Sequence, residues 1–315
     1  MSPGTWATRR VVKDTGDLNI VEQQDQTRQY FRSAAEVWQA RAAGISGTYS
    51  LIEDRNRAAL AVVESLPGAR RFLDVGCGTG QLVIAAAGRG LEAEGVDFAE
   101  EMILQCEENR KAAGVVAKFV AGSFFDMDAA DAAYDVISAQ GLIEYLSSGQ
   151  MTEFFRRCHR MLKPGGALVV GSRNRLFNVV SLNDFTRIEA ALGTLGALVA
   201  EAAALHGSVS QAEAFTALRR YERIDPQPDS HPVTGIPVDA RYQFSPADLV
   251  YRLRCCGYTP QTLFPVHFHG LPLAIKAEHP DLHSQFASIL SDLAPRDQRI
   301  VPYCSTFVLD VRKNG

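Results

Sequence analysis

From Arg71 to Leu82 the chain reads RFLDVGCGTGQL, with Asp74 followed by Gly76, Gly78 and Gly80 at every second position. Glycine costs backbone entropy, so three in five residues mark a turn that must stay bare. The apolar segment before the turn is strand-like and the segment after it helix-like. In an open α/β sheet such a junction faces the crevice beyond the carboxyl ends of the strands, where ligands bind. A dinucleotide site would use G-x-G-x-x-G with a phosphate on the helix N-terminus. Here position 81 is Gln and the pattern is D-x-G-x-G-x-G. Cys77 is a small filler of the turn. Asp74 either accepts from the turn's amides and shapes it, or attracts a cationic group of the ligand. Farther on, His267 and His269 in PVHFHG lie two apart on an expected strand and so share a face. That spacing suits a metal pair or a general base; no third ligand cluster accompanies it, and no metal is expected.

The elements that must position these groups can be read from periodicity. A helix is expected over Gln26–Arg41, with Tyr30, Phe31, Ala34 and Trp38 on one side, and a second over Leu51 to Leu66. Between Arg71 and Ser172 the strand candidates RFLDV, LEAEGVD, AKFVAG, YDVISA and GALVVGS alternate with helical stretches. One of these, QMTEFFRRCHRML, gathers Met151, Phe154, Phe155, Cys158, Met161 and Leu162 on one face and stops at Lys163-Pro164-Gly165-Gly166. Such alternation implies a parallel sheet covered on both faces. After Ser172 it breaks for about seventy residues, where helices over Thr186–Leu205 and Gln211–Arg223 and a proline-rich connector holding His231 are expected. An insertion of that length is too long for a loop and predicts a cap over a site. Ser245, Pro246 and Asp248 then open a further helix. TPQTLFPVHFHG and STFVLDVRK are the last two strands, separated by the helical DLHSQFASILSDL.

Composition narrows the classes. The chain has 315 residues, 46% hydrophobic, with a formal net charge of −4, which gives no electrostatic footprint for nucleic acid. Six cysteines without a C-x-x-C pair suit reduced thiols in a cytoplasmic protein. The N-terminal segment lacks the apolar core of a signal peptide, and the run from Ala191 is too short and too polar to span a bilayer. No membrane insertion is expected.

The turn resembles the first motif of class I S-adenosylmethionine-dependent methyltransferases, and the resemblance continues in register over roughly residues 25–175. EGVDFAEEMI places Asp97 at the end of the second strand, 23 residues beyond Asp74. In this family that acid receives the two ribose hydroxyls; otherwise it would cap the next helix. Phe98 and Met102 correspond to the apolar residues flanking the adenine. Ser123 stands where the family often has an acid near the adenine amino group, so a hydroxyl contact, or a backbone contact near Phe124, must serve. YDVISAQGLIEYL matches the fourth strand, with Gln140 and Gly141 at the methionine end and reacting methyl. LKPGG precedes the fifth strand, and Asn174-Arg175 after it is similar to the ubiquinone-type O-methyltransferases. In the family an N-terminal helix commonly lids the cofactor, which gives Tyr30 a cofactor role.

The resemblance implies a seven-stranded, mostly parallel, doubly wound α/β sheet with an antiparallel last strand and a helical cap insertion. It divides the chain into an N-terminal helical lid (1–66), a cofactor-binding core (67–175), the cap (176–244) and the C-terminal part of the sheet (245–315). It implies S-adenosylmethionine as cofactor, S-adenosylhomocysteine as product, and a small-molecule acceptor methylated at O or N by in-line displacement. Tyr145, Arg173 and Arg175 fall at the acceptor pocket, where the arginines could clamp an acidic group. His267 or His269 would supply a base where the acceptor needs one. A homodimer is the protein partner allowed for. The competing readings are a cofactor-binding scaffold without turnover, a nicotinamide oxidoreductase, and a nucleic-acid methyltransferase. The last is disfavoured by the acidic charge and by SAQGLIEY where an Asn/Asp-Pro-Pro-aromatic motif would stand.

Overall fold

Phe72-Leu73, Val136-Ile137 and Leu168-Val169 are adjacent apolar pairs in three of the expected strands, and side chains alternate across a sheet. A strand with both members of such a pair buried must be covered on both faces. In the computed structural model, which describes residues 51–221, 243–269 and 271–314, all six side chains are fully buried. Phe72, Val136 and Val169 share one core with Ala59, Val62, Val83 and Ala86. Leu73, Ile137 and Leu168 share the other with Phe154, Phe155 and Met161. The helix expected over Gln26–Arg41, with Tyr30 and Trp38, and the connector with His231 lie outside the described residues.

The strands are β1 (Arg71–Val75), β2 (Glu92–Asp97), β3 (Lys118–Ala121), β4 (Tyr134–Gln140), β5 (Leu162–Arg173), β6 (Tyr258–Phe268) and β7 (Cys304–Lys313). They form one seven-stranded sheet in the order β3-β2-β1-β4-β5-β7-β6. β1, β2, β3, β4 and β5 pair in parallel, whereas β7 runs antiparallel to both β5 and β6. Chain order runs outward from β1 in one direction and from β4 in the other. The topological switch point, where a crevice opens, therefore falls between β1 and β4.

The long helices are α1 (Leu51–Glu64), α2 (Gln81–Ala87), α3 (Glu100–Ala113), α4 (Ser148–Met161), α5 (Asp184–Leu192), α6 (Leu195–His206), α7 (Gln211–Leu218), α8 (Pro246–Cys255) and α9 (Pro280–Leu293). α4 begins with a capping box, Ser147 accepting from the Gln150 amide while the Gln150 side chain accepts from the Ser147 amide. Its buried stripe is the one read from periodicity, except that Leu162 already belongs to β5. α8 is capped by Ser245, which accepts from the Asp248 amide, with Pro246 in its first turn.

The insertion departs from expectation in two ways. The single helix expected over Thr186–Leu205 is broken: Gly193 adopts a left-handed conformation, φ 75°, and closes α5, so α6 sets off at 113° to it. The insertion's described helices also do not roof a site. Leu198, Leu205, Ala214 and Leu218 are buried in the α4-side core together with Leu249 and Leu253 of α8 and Leu263 of β6. The buried Glu201 accepts from the Ala247 amide at 2.8 Å and so pins the start of α8. The insertion widens the core because its apolar residues find a sheet face beside them. No single helix among the described residues is long and apolar enough to cross a membrane.

Arg175, expected at the acceptor pocket, is instead a structural residue. The main chain turns away after β5, and the guanidinium is buried against Glu189 of α5, with Nε to Oε1 at 2.9 Å and Nη2 to Oε2 at 2.8 Å. Asn178 and Thr194 donate to the same carboxylate. Removing one member of a buried pair leaves the other charge uncompensated. Arg175→Ala is expected to cost about 3–5 kcal/mol in urea unfolding, and pairing Arg175→Met with Glu189→Leu should recover most of that.

Candidate active site

The bare turn leaves β1 at the switch point and is fastened to β2. The Gly76 and Cys77 amides both donate to the Val96 carbonyl, at 2.8 and 3.1 Å, and the Gly78 amide donates to Asp97 Oδ2 at 3.0 Å. From the other side, α3 holds the turn: Cys106 Sγ donates to the Gly78 carbonyl and Asn109 Nδ2 to the Thr79 carbonyl. The three glycines are not equivalent. A Cβ on Gly78 would meet nothing within 4 Å, and one on Gly76 would meet Leu142 at 3.2 Å. One on Gly80 would fall 2.9 Å from both Cys106 Sγ and the Phe119 ring. Gly76 and Gly78 line the cavity; Gly80 permits close helix–strand packing and does not. Cys77 is buried at the cavity wall, hydrogen-bonded to Cys106, with its thiol pKa pushed well up by that bond and by burial.

Two adjoining cavities meet at this turn and share Gly76, Asp97, Phe98, Leu142 and Tyr145. The first is apolar, between Phe98, Phe124, Phe125, Leu146 and Phe154, with Ser123 at its edge. Ser123 Oγ accepts from the Phe125 amide at 3.2 Å. The second runs along Asp74, Gly76, Gly78, Met102, Gln140 and Gly141 to Arg55, Glu144 and Arg173, and encloses about 1170 Å³ of empty space including its open mouth.

The acids differ in their partners. Asp97 Oδ1 accepts from the Ala99 amide at 3.0 Å and Oδ2 from Gly78, and with the Phe98 amide also bonded to it the carboxylate still keeps acceptor capacity for a ligand. Burial pushes its carboxyl up to about 6, against the amides of Ala99, Gly78 and Phe98, which hold it down. Asp74 does not shape the turn, whose Gly76, Cys77, Gly78 and Gly80 amides are taken by Val96, Asp97 and Cys77. Its carboxylate meets the Ser138 hydroxyl, and its Oδ1 is buried with no partner. Burial raises this carboxyl to about 7, with Ser138 opposing and the Asp97 charge adding to the rise. A buried acceptor left open beside a cavity is suited to a cationic donor.

The Gln140 side chain is turned into the sheet. Its Nε2 donates to Ser138 Oγ at 3.1 Å and to the Val169 carbonyl at 3.2 Å, and its Oε1 abuts Gly171. What it offers the cavity is therefore mainly its backbone and that of Gly141, whose Cα lies against the Arg55 guanidinium.

Residues that sequence reasoning passed over form the far end of the cavity. Glu144, fully buried, accepts from the Arg173 amide at 2.6 Å and pairs with Arg173 Nε at 3.2 Å and Arg55 Nη2 at 3.4 Å. A glutamate inside the apolar run GLIEYL was the available signal for Glu144. Nothing local marks Arg55, one of several charges on α1.

His267 and His269 stand apart from the cavities. Their rings lie 5.1 Å apart, as expected of residues on one face, and His269 stacks on Phe177 at 4.6 Å. Burial, then the neighbouring His269, Lys276 and Arg55, drives His267 well below the usual imidazole range. Burial with Lys276 and His283 lowers His269 to about 3. Burial favours the neutral ring at both, and neither is among the described residues that line the two cavities. No group of three His, Cys, Asp or Glu among the described residues could hold a metal ion.

Residues 72–166 match a family described as a methyltransferase domain. A ubiquinone biosynthesis O-methyltransferase from Rhizobium etli is 29% identical over 115 residues, which are 36% of this chain and 46% of that protein. The chain thus spans just under half the length of the curated relatives it matches. Among solved structures, the 1,6-didemethyltoxoflavin-N1-methyltransferase of Burkholderia thailandensis, with 1,6-didemethyltoxoflavin and S-adenosylhomocysteine bound, has a TM-score of 0.55 at 15% identity. That likeness covers 96% of this chain and 93% of that one. The magnesium protoporphyrin IX methyltransferase of Synechocystis PCC 6803, with bound S-adenosylhomocysteine, gives 0.54 at 13% identity over 92% of this chain and 100% of its own. At these identities the likeness is one of fold.

The raised Asp74 carboxyl carries a sign. The folded protein holds this proton between the ordinary carboxylate range and about pH 7, where the unfolded chain has lost it. Asp74 therefore favours folding below pH 4, and that contribution is lost as pH rises to about 7. Asn mimics the protonated form, so Asp74→Asn should match wild type near pH 4 and exceed its stability by roughly 2–4 kcal/mol at pH 8. Urea unfolding at both pH values checks this; a constant difference between the two proteins would contradict it.

Proposed function

We propose that this chain, which carries a class I S-adenosylmethionine-dependent methyltransferase domain with its family match across residues 72–166, binds S-adenosylmethionine along the glycine turn and methylates an oxygen or nitrogen of a small acceptor. The observation that carries the reading is a pair of buried carboxylates with different unmet needs, set on either side of a bare turn. Asp74 Oδ1 is an orphaned acceptor that fits the ammonium of an amino-acid head. Asp97 stands at the cavity wall with acceptor capacity beyond its amide partners, and its two oxygens suit two vicinal hydroxyls. The chamber between Phe98, Phe124 and Phe154 suits a flat aromatic base, with the Ser123 hydroxyl at its edge.

When bound, S-adenosylmethionine supplies a methyl group already activated by a cationic sulfur. The protein's own work is then alignment and exclusion of water. Asp74 and Asp97 fix the two polar ends of the ligand, and the Leu142 side chain lies between the two chambers. The Gln140–Gly141 backbone edge faces the space beyond, which leads to Arg173. The names of the relatives, one acting in ubiquinone biosynthesis and one on 1,6-didemethyltoxoflavin, support a small-molecule acceptor. The acidic net charge supports the same choice over nucleic acid, and the free thiols support a cytoplasmic setting.

Isothermal titration with S-adenosylhomocysteine and transfer of labelled methyl to a metabolite panel test this reading. Asp97→Ala should weaken S-adenosylhomocysteine binding by roughly tenfold or more, the worth of hydrogen bonds to a charged group. Asp74→Asn should weaken it as well, yet leave methylthioadenosine, which lacks the amino-acid head, unaffected. Tighter binding of a nicotinamide dinucleotide, or an Asp97→Ala protein with unchanged affinity, would contradict the proposal. Binding without transfer to any acceptor would favour the scaffold.

A further inference from the structure

We infer that the acceptor is an anion gripped by Arg173 at the far end of the cavity and methylated at an oxygen that arrives already ionised. The inference rests on the methyltransferase reading above and adds the chemical class of the acceptor.

Charge is unbalanced where the acceptor must lie. Arg55, Glu144 and Arg173 all line the cavity. Among the described residues Glu144 is the one carboxylate within ion-pair distance of either guanidinium, so two cations share one anion. Arg55 is largely buried, and its Nε has no partner. Arg173 is held differently. Glu144 accepts from its amide and lies 3.2 Å from its Nε as an ion pair, while no described residue hydrogen-bonds its two terminal nitrogens. A guanidinium ion-paired on its Nε side, with no described hydrogen bond on its fork, is prepared for a planar oxyanion. Glu144 is thus a positioning residue and Arg173 the contact.

The cofactor's own carboxylate does not meet this need. Its ammonium and carboxylate share one carbon, so a head bound at Asp74 on β1 keeps both charges there. Arg173 ends β5, and β4 lies between, which separates the two strands by about 10 Å. Arg55, against Gly141 at the end of β4, is the nearer cation.

The absence of an imidazole among the described lining residues fits the same picture. An ionised oxygen uses its lone pair to form the new bond to the methyl carbon while the methyl–sulfur bond breaks and its electron pair goes to sulfur. The negative charge on oxygen and the positive charge on sulfur vanish together, and no proton has to be removed. A carboxylate, or a phenolate kept ionised beside Arg173, satisfies this balance.

The test compares aryl carboxylates such as benzoate and 4-hydroxybenzoate with their primary amides as ligands of the S-adenosylhomocysteine-loaded protein, read by titration. The carboxylates should bind at least about tenfold more tightly than the amides. Arg173→Gln should bring the two within about twofold of each other while S-adenosylhomocysteine affinity stays within about twofold of wild type. Arg173→Lys, which keeps the charge and loses the fork, should retain an intermediate preference. Equal binding of acids and amides by the wild type would overturn the inference. So would an Arg173→Gln protein that loses affinity for S-adenosylhomocysteine but not for methylthioadenosine, since the arginine would then hold the cofactor's carboxylate. Wild-type protein with no affinity for S-adenosylhomocysteine would instead overturn the methyltransferase reading on which the inference stands.

Discussion

The arrangement depends on how the glycine turn is tied to the neighbouring strand. Left-handed conformations at Gly76 and Gly78, φ 72° and 54°, turn the backbone so that three successive amides point at the end of β2. Two find the Val96 carbonyl and the third finds Asp97. The carboxylate that fixes the turn therefore also stands in the cavity, its position set before any ligand arrives. Such preorganisation places an interaction within hydrogen-bond tolerance without an entropic cost at the moment of binding. The cost lies in the free protein, where two buried carboxyls, at Asp74 and Asp97, are driven up towards neutral pH.

From that fixed point the cavity divides by charge. Acids occupy the ends of β1 and β2; cations stand at the end of β5 and on α1, with Glu144 between them. A ligand with a positive centre near Asp74 and a partner with a negative group near Arg173 would be brought together by opposite fields, each in a site of low dielectric. The sheet order enforces the spacing, because β4 alone separates the two ends. His267 and His269 are driven towards the neutral form and line neither described cavity.

How much of this the sequence discloses follows from what each residue answers to. The glycine turn, Asp97 and the strand alternation are legible because local geometry dictates them: positive φ selects glycine, and two-sided burial selects continuous apolar strands. Gly80 is legible as a required glycine but not for its reason, since a ligand and the Phe119 ring impose the same demand for space. Arg173 and Arg175 look alike in sequence. The turn after β5 sends one to the cavity and the other to Glu189, a choice made by helix packing. The Arg55–Glu144 pair joins residues 89 apart in sequence and leaves no periodic trace. The break at Gly193 is visible as a residue, yet the direction α6 takes comes from the apolar face waiting beside β6.

The most direct measurement is a crystal structure of the protein with S-adenosylhomocysteine. The account predicts the two ribose hydroxyls within hydrogen-bond distance of the two Asp97 oxygens, the amino group on Asp74 Oδ1, and Arg173 left clear of the ligand with its fork open to the cavity. A nucleoside lying elsewhere, or one whose ribose makes no contact with Asp97, would contradict it.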